Sequence, residues 1–179
     1  IDNDCRLQSL AIFSDLPMHL QTLTFGDCFN QPMEQVAFPN SLQTLKFGCK
    51  FNQPLERVVL PSNLQHLTFG EAFNQQMEMV ALPSTLLNLA FGEKFNQPMR
   101  MVALPSNLQS LTFGWDFNQS MEMVALPSSL QCLIFGVAGL YNQAVTAGST
   151  NRKSRFNQPM QKVVLPSSLQ NLKFGEAFD

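Results

Sequence analysis

The chain of 179 residues is poor in the side chains that do most chemistry. It has two His, one Trp and one Tyr, and only 13% of its residues are charged, about half the usual share. Eleven basic and 13 acidic side chains leave a net charge of −2. That balance argues against nucleic acid as a partner, which calls for a basic surface. No stretch approaches 18 uninterrupted apolar residues, so no membrane span is expected. The opening residues Ile1, Asp2, Asn3 and Asp4 are not those of a signal peptide. The four cysteines, Cys5, Cys28, Cys49 and Cys132, are irregularly spaced and form no CxxC. Neither a disulfide framework nor a zinc site is expected, and reduced thiols in an intracellular setting, cytoplasmic or organellar, are the default.

Against these shortages stand 16 Phe, 11 Pro and 9 Gly. Phe-Gly recurs at Phe25, Phe47, Phe69, Phe91, Phe113, Phe135 and Phe174. The first five steps are 22 residues each and the last is 39, so one copy carries 17 extra residues. A fixed period of this size marks a stacked array. We number one copy from Leu42 (position 1) to Asn63 (position 22). Leu45 is then position 4, Phe47 is 6, Gly48 is 7, Phe51 is 10, Asn52 is 11, Leu55 is 14, Val58 is 17, Leu60 is 19 and Pro61 is 20. The repeat accounts for the skewed composition: 14 of the 16 Phe fall at positions 6 and 10, and seven of the nine Gly at position 7.

The L-x-x-L-x-F segment ends in the alternation of a short strand. Gly at position 7 predicts a turn with positive φ or a close backbone approach. V-x-L at positions 17–19 is a possible second short strand, stopped by Pro. With Pro at 13 and 20 and Gly at 7, no ordinary helix fits within a copy. No single turn covers its own apolar groups; stacking buries them, like upon like. Asn at position 11 predicts an internal ladder that pairs buried backbone groups. The fold class expected is mainly β: a solenoid of 22-residue turns with a short parallel sheet and little or no helix. The organisation expected is one domain over 1–179. It comprises a degenerate cap at 1–19, regular repeats at 20–136, an insertion loop at 137–155, and final repeats at 156–179 ending without a polar cap.

Stretches such as LPSNLQHLTFGEAFNQ at 60–75, and its equivalent at 104–119, resemble FNIP repeats, a leucine-rich-repeat-related family of eukaryotic, mostly protist, proteins. The resemblance covers about nine-tenths of the chain. It implies a leucine-rich-repeat-like curved solenoid and an interaction or scaffold role, with no catalytic motif to carry over. Positions 2, 3, 5, 8 and 9 would then face the open side of the sheet. Trp115, at position 8, is the one large aromatic expected there, a candidate anchor for a protein partner. His66 lies at position 3, and Glu71 and Glu93 at position 8 on successive turns. Two carboxylates so placed suggest a retaining glycosidase, but Lys50 and Lys94 beside them make a solvated surface the stronger reading. Cys132 and His66 share position 3 three turns apart, too far for a nucleophile and its base. Tyr141 opens an imitation of FNQPM within the insertion, and TAGSTNRKSR at 146–155 is a loop with three basic residues, Arg152, Lys153 and Arg155.

No catalytic, metal or cofactor site is expected. The function expected is a non-catalytic protein–protein interaction scaffold. The alternative is a structural or peripheral subunit of a large assembly. A more remote one is an ice- or carbohydrate-binding solenoid, for which only Thr22-Leu23-Thr24 supplies a T-x-T. An uncapped end calls for further repeats, a cap or a partner to cover it.

Overall fold

The computed structural model describes residues 16–136, 154–176 and 178. Seven three-residue strands form one parallel sheet: β1 (Thr22–Thr24), β2 (Thr44–Lys46), β3 (His66–Thr68), β4 (Asn88–Ala90), β5 (Ser110–Thr112), β6 (Cys132–Ile134) and β7 (Asn171–Lys173). Each strand occupies positions 3–5, and chain order is sheet order. The register is exact from turn to turn, with Leu23 beside Leu45, Leu67, Leu89, Leu111, Leu133 and Leu172. No helix occurs among the described residues.

Most rungs are folded at three corners closed by the same kind of bond. In the rung of β2 the Phe51 N–H donates to Gly48 O (3.2 Å), Val58 N–H to Leu55 O (3.0 Å) and Leu64 N–H to Pro61 O (3.1 Å). Each bond spans four residues, as in a β-turn. Apolar groups at positions 1, 4, 6, 10, 14 and 17 point inward, and Leu42, Leu45, Phe47, Phe51, Leu55 and Val58 are all buried. One continuous core runs the length of the stack.

Inside it the two Phe of each rung stack on one another and on those of neighbouring rungs. Like rings at position 6 lie 5.3–5.6 Å apart, from Phe25 through to Phe174. Like rings at position 10, deeper from the sheet, lie 5.9–6.1 Å apart. The rungs therefore fan out away from the sheet, and the solenoid curves with its sheet on the tight side. This explains why V-x-L forms no second strand. A backbone ladder needs strands about 4.8 Å apart, and the rungs have diverged beyond that reach.

Side chains take over where the backbone cannot. Asn30 Oδ1 accepts the Asn52 N–H (2.9 Å) and the Gln53 Nε2 (3.0 Å). The same bonds repeat from Asn52 to Asn74, Asn74 to Asn96, Asn96 to Asn118 and Asn118 to Asn157. The expected ladder is present, although it runs along a half-exposed rim and not inside the core. Position 22 bridges the remaining corner. Thr85 Oγ1 donates back to Leu64 O (2.9 Å) and Ser62 O (2.7 Å), and Ser129 does the same to Leu108 and Ser106.

The glycines divide into two cases. A Cβ on Gly48, Gly70, Gly92 or Gly114 would overlap the carbonyl of the Gly one rung earlier. Close approach, not positive φ, is what position 7 requires there. Gly136 alone among the described residues has positive φ (+75°), and it is the last described residue before the insertion.

Candidate interaction surface

The insertion is spliced between positions 7 and 8. Ser154 and Arg155, expected within the loop, take positions 8 and 9 of the rung. The Arg155 N–H donates to Trp115 O (2.8 Å), as Asp116 N–H does to Glu93 O and Lys94 N–H to Glu71 O. Phe135 and Phe156, 21 residues apart in sequence, stack at 4.0 Å, within the 3.8–4.2 Å of the uninterrupted rungs. Ser154 is buried against Gly136 and Gly175, and its Oγ accepts the Phe156 N–H (3.4 Å). Tyr141, Arg152 and Lys153 lie outside the described residues. Arg155 is exposed, and its Nε sits 3.4 Å from Asp116 Oδ1. An exposed pair of this kind contributes at most about 1 kcal/mol.

Trp115 differs from expectation. It is 8% exposed and not an open surface aromatic. The rung that resumes at Ser154 lies directly on its backbone, so the indole belongs to the stack as much as to the surface. Asn118, in a formal glycosylation sequon, is half-buried, with its Oδ1 engaged by Asn157 and Gln158.

The sheet face carries His66 at position 3, whose Nδ1 lies 2.7 Å from Asn88 Nδ2 on the next rung. Along this face position 3 reads Thr22, Thr44, His66, Asn88, Ser110, Cys132 and Asn171. Glu71 and Glu93 lie one rung apart at position 8, below Asp27 and Cys49 in the same column. The Cys49 thiol donates to Asp27 Oδ1 (3.2 Å) and, more weakly, toward Glu71 Oε1 (3.9 Å). Burial first, then the Asp27 hydrogen bond and the charges of Glu71 and Asp27, push this thiol up to about 12. A thiol so held is not a nucleophile at neutral pH. Cys28 is disulfide-bonded, whereas Cys49 and Cys132 are free. The expectation of wholly reduced thiols thus fails at Cys28, and the neighbouring pair Cys28 and Cys49 is not joined. Among the described residues no group of His, Cys, Asp and Glu is arranged to hold a metal, and no helix is long and apolar enough to cross a membrane.

Two features escaped the sequence reading. Position 16, at the tip of the corner between positions 14 and 17, holds exposed methionines on three successive rungs, Met79, Met101 and Met123. Three Met at a non-core position in adjacent copies was the available signal. The other is a shallow groove of about 430 Å³ lined by Asn157, Gln158, Pro159, Met160, Gln161 and Phe178. It lies where the corresponding segment of another rung would pack.

This geometry defines a leucine-rich-repeat-like parallel β-solenoid. The chain belongs to the FNIP repeat family, which matches residues 11–50, 51–94, 95–137 and 154–179. The break in that match falls at the insertion. No curated protein matches the chain. Among solved structures it is similar to CroV588, described as a novel circular LRR protein structure, at 32% identity with a TM-score of 0.46. The match covers 92% of this chain and only 28% of that one.

Proposed function

We propose that this chain is a non-catalytic scaffold that recognises protein partners through the open face of its sheet and the segment inserted between Gly136 and Ser154. The observation that supports this is the contrast between columns. Core columns repeat nearly the same residue on every rung, while position 3 changes from Thr to His, Asn, Ser and Cys with no packing demand that it do so. Glu71, Glu93 and His66 contribute to that face, Arg155 lies beside it, and Arg152, Lys153 and Tyr141 belong to the inserted segment of the sequence. Trp115 contributes through its partly accessible edge. Cross-linking mass spectrometry of the native protein tests the reading. Cross-links to partners should fall on positions 3, 5 and 8 and on the insertion, and bulky charged substitutions at Asn88 and Ser110 should abolish them. Cross-links confined to the opposite side would sink it.

A structural role within a larger assembly is favoured by one observation. Leu172 is 37% exposed, whereas Leu45, Leu67, Leu89, Leu111 and Leu133 in the same column are at most 1% exposed. A further rung or a partner laid on β7 would bury it.

A further inference from the structure

The first rung of the stack is covered, and the last is not. Phe25, Phe29, Met33 and Val36, at positions 6, 10, 14 and 17, are at most 6% exposed. Their counterparts at the other end, Phe174, Phe178, Met160 and Val163, are only partly buried. The cover lies over one arc: Leu20 and Leu23, at positions 1 and 4 of the first rung, are also only partly buried. Among the described residues β1 pairs with β2 and with no other strand. The described residues ahead of this rung, 16–19, take positions 19–22, at the corner that leads into position 1. That leaves the covered arc to residues 1–15. Cys28 stands at position 9, within that arc, and it is disulfide-bonded. Cys49 and Cys132 are free, and the sequence holds four cysteines, so Cys5 is the one left to pair with it.

We infer that a Cys5–Cys28 disulfide ties the N-terminal segment over the position 6–17 arc of the first rung and makes that end of the stack a redox switch. With no strand laddered to the outer edge of β1 among the described residues, the covalent bond is the anchor of this cover. A dithiol reductant opens it. The reductant's thiolate attacks one sulfur of the bond, and its second thiol resolves the mixed disulfide. The S–S bond between Cys5 and Cys28 breaks, one forms in the oxidised reductant, and two electrons and two protons leave Cys5 and Cys28 as thiols. Cys28 is half-buried, within reach of that attack. Release of the segment bares Phe29 and Met33, and the solenoid then presents the apolar end of an uncapped array. The state of the switch follows the compartment: closed where disulfides persist, open where thiols are kept reduced.

Peptide mapping of the alkylated, unreduced full chain tests the pairing, and hydrogen exchange read by mass spectrometry tests the switch. The map should return Cys5 and Cys28 in one cross-linked peptide, with Cys49 and Cys132 alkylated. The amides of Phe25, Phe29 and Val36 are hydrogen-bonded in the first rung. On addition of a dithiol, peptides covering them should exchange about tenfold faster or more, while those of the β3 and β4 rungs keep their rates. Cys5→Ser should show the fast exchange without reductant, and reductant should change it no further. Circular dichroism checks that this variant keeps the solenoid. Cys28 found as a free thiol, or joined to anything but Cys5, overturns the proposal. So does a reduced protein whose first rung exchanges as slowly as the oxidised one, since the bond is then a passive staple. Neither result touches partner binding at the sheet face, because no residue of positions 3, 5 or 8 is altered.

Discussion

The two arcs of each rung solve one problem with different chemistry. From position 2 to position 9 adjacent rungs are tied by backbone bonds: the strands, the position-2 carbonyls, and the amide of position 9 to the carbonyl of position 8. From position 11 to position 22 no backbone bond joins the described rungs, and side chains of Asn, Gln, Ser and Thr bridge them. The widening of the Phe stacks from about 5.5 Å to about 6.1 Å is the physical reason. A backbone amide has fixed reach, whereas an Asn side chain adds the missing length and offers both a donor and an acceptor. The backbone arc tolerates almost any side chain outward, and the bridged arc does not.

Substitutions can press on that difference. The largest effect is expected where a side chain is forced into the tight arc. Gly92→Ala places a Cβ against Gly70 O, a backbone atom that cannot move aside. Chemical denaturation should show a loss of about 3 kcal/mol, at the upper end of ordinary overpacking. Gly26→Ala, with nothing within 4 Å, should be nearly neutral, and equal losses at the two would refute the close-approach account. Next comes the bridged arc. Asn74→Ala removes the acceptor for the Asn96 N–H and the Gln97 Nε2. A loss of about 2 kcal/mol is expected from the stranded, half-buried donors. Thr85→Val, which keeps the shape and removes the donor to Leu64 O, should cost about 1 kcal/mol in the same titration. Deletion of residues 137–153 should cost nothing. It joins Gly136 to Ser154 in a 22-residue rung and spares closure entropy on the order of 1 kcal/mol, so melting at an unchanged or higher temperature is the expected result.

The smallest effect concerns Cys49. Its pKa is raised on folding, so folding favours the protonated thiol. The contribution is complete below the ordinary thiol range near 9.0 and is lost as pH climbs toward about 12. At pH 9 alkylation of Cys49 should be slower in the folded protein than in denaturant, and Asp27→Asn should hasten it. Equal rates in all three would remove Asp27 from the account.

Much of this was legible in the sequence because the repeat writes each structural rule seven times. The Leu and Phe columns, the Gly and the Asn ladder follow from period and residue type. What stayed hidden depends on distances between rungs, which a sequence does not carry. V-x-L alternates like a strand, yet the fan of the rungs denies it a neighbour. Ser154 and Arg155 look like loop, because only the stack shows that they complete positions 8 and 9. Trp115 looked exposed because its column lies outside the core in other rungs. The exposed methionines were the least legible feature: Met79, Met101 and Met123 stand out only when their neighbours are known to turn inward.

The unequal arcs also have a mechanical consequence. One edge of the solenoid is tied by short, closely spaced backbone bonds, and the other by longer side chains with rotatable torsions. Such a body resists stretching along its sheet and yields along its opposite edge. Load on the stack is therefore taken up as bending, opening or tightening the curve while the strand register holds.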